Sequence, residues 1–512
     1  MNTMKYRNNF AIQDIYFNCF IPYMPEFIDM IPKKNGKQLF SEWVAVQEEM
    51  SVNAYFQIPI IESAVEHIKN TIIADPEWAE RTHVECEEAS RRYFVRAEEI
   101  RAIDLSLLDD HALADLYLEL HALQKNCHIL AIATTWFVDS DGEVFSKHLD
   151  TALREWLASK NVTDVAEIMD MFILLTTPAR DSMGAEEERA FLLLTKSVQS
   201  DDNARTLCTD DVSHHECLSQ LPVDIQNQIH AHCEQWCWLP YGYSGPAYTE
   251  EDYVARLRDN VRSGIDVHRT LADMQNHVQT IHTQQESILQ TYDIPAPLAR
   301  LFSIAQEIIW LKDYRKLCLY HGCFVLDMVT KEIAKRLHLT LKQASHFLDT
   351  EIVDAVVHQD YDEHLLNERQ KRCVVVSTPH ATQYLYGKEA EAYIHVMDVE
   401  EIEVDPTQGF HGTCACPGTA EGDVKIINTV DDMVKMKDGD IMLAHTTFPA
   451  LVPAMKKASA IITEDGGITC HAAIVARELR IPCVVGVKKI TEFLDDGDRV
   501  SVDATRGTIS RL

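Results

Sequence analysis

Ser459-Ala460-Ile461-Ile462-Thr463-Glu464-Asp465-Gly466-Gly467-Ile468-Thr469-Cys470-His471-Ala472-Ala473-Ile474-Val475-Ala476-Arg477-Glu478-Leu479 passes from an apolar, β-rich approach through a glycine turn into a helix. Ile481-Pro482-Cys483-Val484-Val485-Gly486 follows at once as a second strand. Gly466 and Gly467 permit backbone conformations that other residues resist. From Cys470 onward, Ala472, Val475, Ala476 and Leu479 recur at helical spacing. His471 therefore falls in the first turn of a helix. Free backbone N–H groups and the helix dipole favour an anion there, which suits a histidine that carries a phosphoryl group.

The stretch resembles the phosphohistidine (swivelling) domain of the phosphoenolpyruvate-utilising enzymes: phosphoenolpyruvate synthase, pyruvate phosphate dikinase and rifampicin phosphotransferase. The family pattern is an acidic pair, two glycines, Thr, Ser or Cys, then His and Ala-Ala-Ile-Val-Ala-Arg-Glu-Leu, and it matches here almost letter for letter. Gly412-Thr413-Cys414-Ala415-Cys416-Pro417-Gly418-Thr419-Ala420-Glu421-Gly422 is similar to the family's opening segment. The resemblance covers about 100 residues and implies that His471 is the phosphohistidine, with Gly466, Gly467, Thr469, Cys470 and Arg477 in support. Arg477 lies six residues past His471, so helix geometry alone does not aim it at phosphate; docking and structural roles both stay open. One departure stands out. The family has Thr-x-Pro-Asp-(Trp/Tyr) where this chain has Thr447-Phe448-Pro449-Ala450-Leu451.

Glycine marks the boundary of this region. Residues 412–512 hold 9 of the 18 glycines, and the 411 residues before them hold the other 9. Charge divides in the same way. Residues 412–512 carry 12 basic and 14 acidic side chains, while the rest carries 35 and 66, so almost all of the formal charge of −33 lies upstream. Such acidity argues against nucleic acid, which requires basic stripes. No apolar run is long enough for a membrane span and no secretory signal is evident, so a cytoplasmic protein is expected.

The expected architecture is multidomain: a mostly α N-terminal region followed by an α/β phosphohistidine swivelling domain. Its parts are a mixed segment at 1–75, a mainly helical acceptor-binding region at 76–404, a linker at 405–411 and the histidine domain at 412–512. Phe10 to Ile28, with Pro22 and Pro25, reads as strand and loop. Ser41–Met50 and Pro59–Asn70 read as helices, as do 82–103, 112–134, 143–158, 163–176, 185–199, 250–290, 297–338 and 341–354, with a turn at Ser140-Asp141-Gly142. Residues 373–395, including Ala392-Tyr393-Ile394, read as strands or a small sheet.

Two features of the helical region carry chemistry. Trp236-Cys237-Trp238-Leu239-Pro240-Tyr241-Gly242-Tyr243-Ser244-Gly245-Pro246-Ala247-Tyr248 puts two Trp and three Tyr, with Gly and Pro, on a loop. It is either a platform for a flat or cationic organic group or a loop pinned into the core by its rings. Lys312-Asp313-Tyr314-Arg315-Lys316 embeds charge in an apolar helix, where it requires partners or a ligand. The 14 cysteines are scattered as reduced thiols would be. His232, Cys233 and Cys237, with His214, His215 and Cys217 upstream, have ligand-type spacing but lack a second clear pair, so buried thiols are favoured over zinc.

Only five residues follow Gly507, and no glycine-rich phosphate loop appears upstream, so neither a phosphoenolpyruvate barrel nor an ATP-grasp domain is expected here. The resemblance then implies an incomplete phosphotransferase. It would take phosphate from ATP, with Mg²⁺, through a separate ATP-grasp protein and pass it from His471 to a small-molecule acceptor. A phosphohistidine carrier that binds another protein is the alternative.

Overall fold

The computed structural model describes residues 5–12, 15–19, 39–131, 138, 144–400, 409–429, 431–447, 451–467 and 470–512. Thr469, Phe448–Ala450, the 140–142 turn, Pro22, Pro25 and most of the linker lie outside these residues. Packing divides the chain into two units: residues 1–89, 104–151 and 329–512 form the first, and 90–103 with 152–328 the second.

The first unit contains two sheets. One is built from β1 (Lys5–Ile12), β2 (Trp43–Glu48), β3 (Ser51–Gln57), β4 (Arg372–Ser377), β5 (Thr382–Tyr386) and β6 (Asp398–Val399), in the order β5-β4-β2-β3-β1-β6. Ser41–Met50 is therefore strand and turn rather than helix. Trp43, Val44, Ala45 and Val46 are all buried, and β2 pairs antiparallel with β3 on one side and with β4 on the other. Aromatic and β-branched residues suit such a central strand. Trp43 and Phe40 both pack on Phe56, with ring centroids 5.3 and 5.2 Å apart. The strand reading of Ala392–Ile394 is also corrected. These residues lie in the helix Lys388–Val396, whose Lys/Glu/Ala composition favours helix.

The second sheet comprises β7 (Phe410–His411), β8 (Thr413–Cys416), β9 (Thr419–Ile426), β10 (Ile441–Ala444), β11 (Ala460–Thr463), β12 (Cys483–Val485), β13 (Arg499–Asp503) and β14 (Thr508–Arg511), ordered β7-β14-β13-β9-β10-β11-β12-β8. β9, β10, β11 and β12 are mutually parallel; the outer pairs are antiparallel. β10, β11 and β12 are fully buried, as the central strands of a covered parallel sheet are. The helix His471–Leu479 packs Ala472, Ala473, Val475 and Ala476 into the core on one face.

The second unit is helical. The expected helix at 250–290 is two, Glu250–Ser263 and Val267–Thr291, because Gly264 ends the first in a left-handed conformation (φ +67°) and Asp266 caps the second. In the first unit, 341–354 is likewise broken, into Leu341–Ala344, a 3₁₀ turn at Asp349–Glu351 and a helix from Ile352. Short helices at Asp202–Thr209, His214–Gln220 and Val223–Trp236 were not expected; Asp201 and Ser213 cap the first two. Ala296–Leu337 is a single 42-residue helix.

Candidate functional site

Parallel strands deliver their loops to one edge, and the carboxyl edge is where open α/β sheets hold ligands. Here the loops after β10, β11 and β12 are fastened by backbone bonds. Glu464 N donates to Ala444 O (2.9 Å), Asp465 N to His445 O (2.9 Å) and Val487 N to Thr463 O (3.0 Å). Asn428, just beyond β9, accepts from His445 N through Oδ1 (2.8 Å).

Within this edge, Gly466 has φ +111°, and a Cβ there would meet Cys470 Cβ and Sγ at 2.9 Å. Glycine is thus required both by conformation and by close approach. Cys470 N donates to Gly467 O (2.9 Å), closing the turn. Cys470 is the extended N-cap (φ −79°, ψ 166°) and supplies no side-chain cap. His471 is the first helical residue, as expected, and it is half-buried. Its Nδ1 lies 2.8 Å from Thr447 Oγ1. The sequence reading noted Thr447 only at the edge of a divergent motif and missed this contact.

Arg477 turns away from a phosphate role. Its Nε donates to Ala415 O on β8 (2.8 Å), and desolvation lowers its guanidinium from the usual range although the neighbouring Cys470, Cys483, Cys416 and Cys414 oppose the shift. It fastens the helix to the edge strand. Burial pushes the Cys483 thiol well up, as an inert structural thiol requires.

Beside the histidine loop, Glu464 accepts from His445 Nδ1 (2.9 Å) and from the Thr491 hydroxyl. These bonds hold its carboxyl below the usual range against burial, and the Glu464 bond raises the His445 imidazole. Lys488 Nζ pairs with Asp465 Oδ1 at 2.7 Å. Neither His445 nor Glu464 was singled out from sequence.

In the helical unit, the structure resolves the two readings of the aromatic loop residue by residue. Trp238 is fully buried and donates from Nε1 to Gln235 O (2.8 Å), Trp236 is buried beside it, and both belong to the helical core. Tyr241 is buried and donates to Asp327 Oδ2 (2.5 Å). These three are pinning residues. Tyr243 differs: its ring meets that of Tyr320 edge-on at 5.2 Å, and burial raises its phenol.

Tyr320, Lys312, Asp313, Arg315 and Lys316 all lie on the 42-residue helix. The carboxyl of Asp313 makes no hydrogen bond among the described residues, and burial pushes it up to about 6 although Lys316 opposes the shift. Arg315 Nε is buried with no partner among them. Tyr243 thus lies near Tyr320, Arg315 and Lys316, and it packs against the same helical core that holds Trp236 and Trp238. Tyr320 was missed, though it stands seven residues after Asp313 and four after Lys316, on the same helical face.

The residues weighed for zinc have other partners. His214 Nδ1 meets Arg258 (3.2 Å), His215 meets Glu251 (3.0 Å) and His232 meets Glu187 (3.0 Å). Cys237 Sγ lies 3.5 Å from Arg101 Nη2. Among the described residues no three metal-binding side chains converge, and no helix is long and apolar enough to cross a membrane.

Residues 436–507 match the family described as PEP-utilising enzyme, mobile domain. A probable phosphoenolpyruvate synthase of Methanothermobacter thermautotrophicus is 53% identical over 111 residues, which are 22% of this chain and 16% of that protein. One from Archaeoglobus fulgidus is 44% identical over 28% of this chain and 18% of its own length. The phosphoenolpyruvate synthase of Aeropyrum pernix is 37% identical over 35% of this chain and 21% of its own. The chain therefore spans only about a fifth of these relatives. Among solved structures, Thermococcus kodakaraensis aconitase X (holo-form) matches 20% of this chain and 97% of that one at 22% identity, with a TM-score of 0.16 too low to carry weight. Through residues 436–507, the C-terminal region is similar to the mobile domain of the PEP-utilising enzymes.

Proposed function

We propose that this protein is a phosphotransferase whose His471 carries a phosphoryl group and passes it to a small-molecule acceptor bound in the helical region. The observation that carries the reading is the placement of His471. It opens a helix at the carboxyl edge of a parallel sheet, on a glycine turn, with Nδ1 engaged by Thr447. With Nδ1 so engaged, Nε2 is the nitrogen assigned to the phosphoryl group. Imidazole is nucleophilic near neutral pH, and first-turn amides favour the anion it acquires. The C-terminal region thus fits the swivelling domain of the family. ATP and Mg²⁺ enter through a separate ATP-grasp protein.

Potassium phosphoramidate phosphorylates accessible histidines without an enzyme, so it tests the relay without knowledge of the partner. The full chain is expected to gain an acid-labile, base-stable phosphate, visible by ³¹P NMR, that His471→Gln lacks. [γ-³²P]ATP with a candidate ATP-grasp protein should label the same residue. Labelling equal in wild type and H471Q, by either route, sinks the proposal. Labelling of His471 that never discharges to any small molecule favours the phosphohistidine carrier.

A further inference from the structure

We propose that Cys233 and Cys237 form an oxidisable dithiol, a modification site at the root of the aromatic loop, which a peroxide closes to a disulfide. The dithiol acts independently of the phosphoryl relay on His471.

Backbone geometry brings the two sulfurs together. Cys233 stands in the last turn of the helix Val223–Trp236 and Cys237 is its C-cap, with Cys237 N donating to Cys233 O at 2.9 Å. Residues four apart across such a helical bond have Cα atoms roughly 6 Å apart, within the span that a disulfide bridges. A bridge also requires the Cβ atoms to approach, and the end of a helix yields to this more readily than its middle. The thiols already meet: the Cys233 S–H has the Cys237 sulfur and Tyr248 O (3.7 Å) as its acceptors. Tyr248 N in turn donates to Cys237 O at 2.9 Å. The pair therefore clasps both ends of the loop from 237 to 248.

Charge selects the attacking sulfur. Carbonyls at the end of a helix disfavour an anion there. Arg101 opposes them, with Nη2 3.5 Å from Cys237 Sγ. The Cys233 S–H and this guanidinium hold the Cys237 thiol below its usual range, against burial and Glu98. A depressed thiol beside a cation is the form that attacks an oxidant. Access distinguishes this pair from the other in the same unit. Cys208 and Cys217 also meet, yet neither has any exposure, whereas Cys233 is partly exposed and Cys237 keeps 8%.

In the reaction, the Cys237 thiolate attacks one peroxide oxygen, the O–O bond breaks and hydroxide leaves, giving a sulfenic acid. Cys233 loses its proton to solvent and its sulfur attacks Cys237 Sγ. The S–S bond forms while the sulfenic hydroxyl leaves and takes up a proton as water. Two thiols thus lose two electrons, and hydrogen peroxide becomes two waters. The closed bridge withdraws the Cys233 S–H from Tyr248 O and Cys237 Sγ from Arg101, which loosens the loop that carries Trp238.

Hydrogen peroxide added to the reduced full chain, followed by alkylation and peptide mass spectrometry, tests the site. A Cys233–Cys237 link should form before any other and be reversed by dithiothreitol, with a change in tryptophan emission that Cys233→Ser lacks. In Cys233→Ser the reaction should stop at a sulfenic acid on Cys237, which dimedone captures. Arg101→Gln should slow the link by about tenfold, the fall in thiolate fraction at neutral pH when a thiol returns to its ordinary range. Arg101→Lys, which keeps the charge, should recover the rate to within about threefold. His471→Gln should oxidise as wild type does. Absence of the link, a Cys208–Cys217 link formed as fast, or an R101Q rate equal to wild type overturns the assignment. Dimedone capture at Cys233 in Cys237→Ser as fast as at Cys237 in C233S does the same. A link that leaves tryptophan emission unchanged removes the effect on the loop.

Discussion

Glu464 and Asp313 are both carboxylates drawn out of water, and the chain keeps them in opposite states. At the sheet edge, Glu464 is bonded to His445 and Thr491 and held as an anion. On the long helix, Asp313 has no bond among the described residues, and its carboxyl is pushed up to about 6. The first region is built to keep a histidine still, so its charges are spent on one another. The second leaves its carboxyl without such bonds among the described residues, so desolvation rather than pairing sets its state.

The contrast can be broken by mutation. Gly322→Ala should have the largest effect, because a Cβ there would meet the Tyr93 ring at 2.0–2.2 Å. A loss on the order of 3 kcal/mol in denaturant unfolding of the helical unit is expected, with phosphoramidate labelling of His471 retained. Asp313→Asn should do the opposite to stability. A carboxyl raised from 3.8 to about 6 stabilises the fold only below its unfolded value, and that contribution is lost as pH rises towards 6. The variant should therefore gain on the order of 2 kcal/mol over wild type at pH 7 and nothing at pH 3.5, read by thermal melts at both. Lys316 on its helix and Tyr320 beyond it are the charged or titratable groups that act on it.

Smaller effects are expected at the sheet edge. Thr447→Val removes one hydrogen bond to Nδ1, so labelling of His471 should slow by about tenfold, with a larger share of the phosphate on Nδ1. Glu464→Gln should shift stability least, since His445 is half exposed. Its signature is the pH window. The depressed Glu464 contributes above the ordinary glutamate range and fails as pH falls through its lowered value. The raised His445 contributes below the ordinary imidazole range and fails as pH rises through its raised value. Melts across pH 3–9 should lose that maximum in the variant.

The same two regions differ in how far their sequence discloses them. Around His471 the signals are local. A glycine with φ +111°, an apolar helical face and short buried strands lie within thirty residues of one another, so the helix start and the histidine's place on it follow from the letters. Thr447 escapes because its contact with His471 crosses from one strand's loop to the next, a product of parallel pairing. In the helical unit the deciding contacts are distant: Tyr241 reaches Asp327 across 86 residues, and Tyr243 meets Tyr320. No window of sequence separates the tyrosine that pins from the one that faces charge. The misreading of β2 has the same cause, since Val44 pairs with Val376 and a short apolar run takes its form from its partners.

The three backbone bonds that tie the loops after β10, β11 and β12 have a consequence for motion. Glu464, Asp465 and Val487 carry loop amides whose exchange with solvent deuterium requires the parallel strands to part. Slow exchange at these three amides would mark the edge beneath His471 as part of the sheet's cooperative unit, and fast exchange would mark the loops as opening on their own.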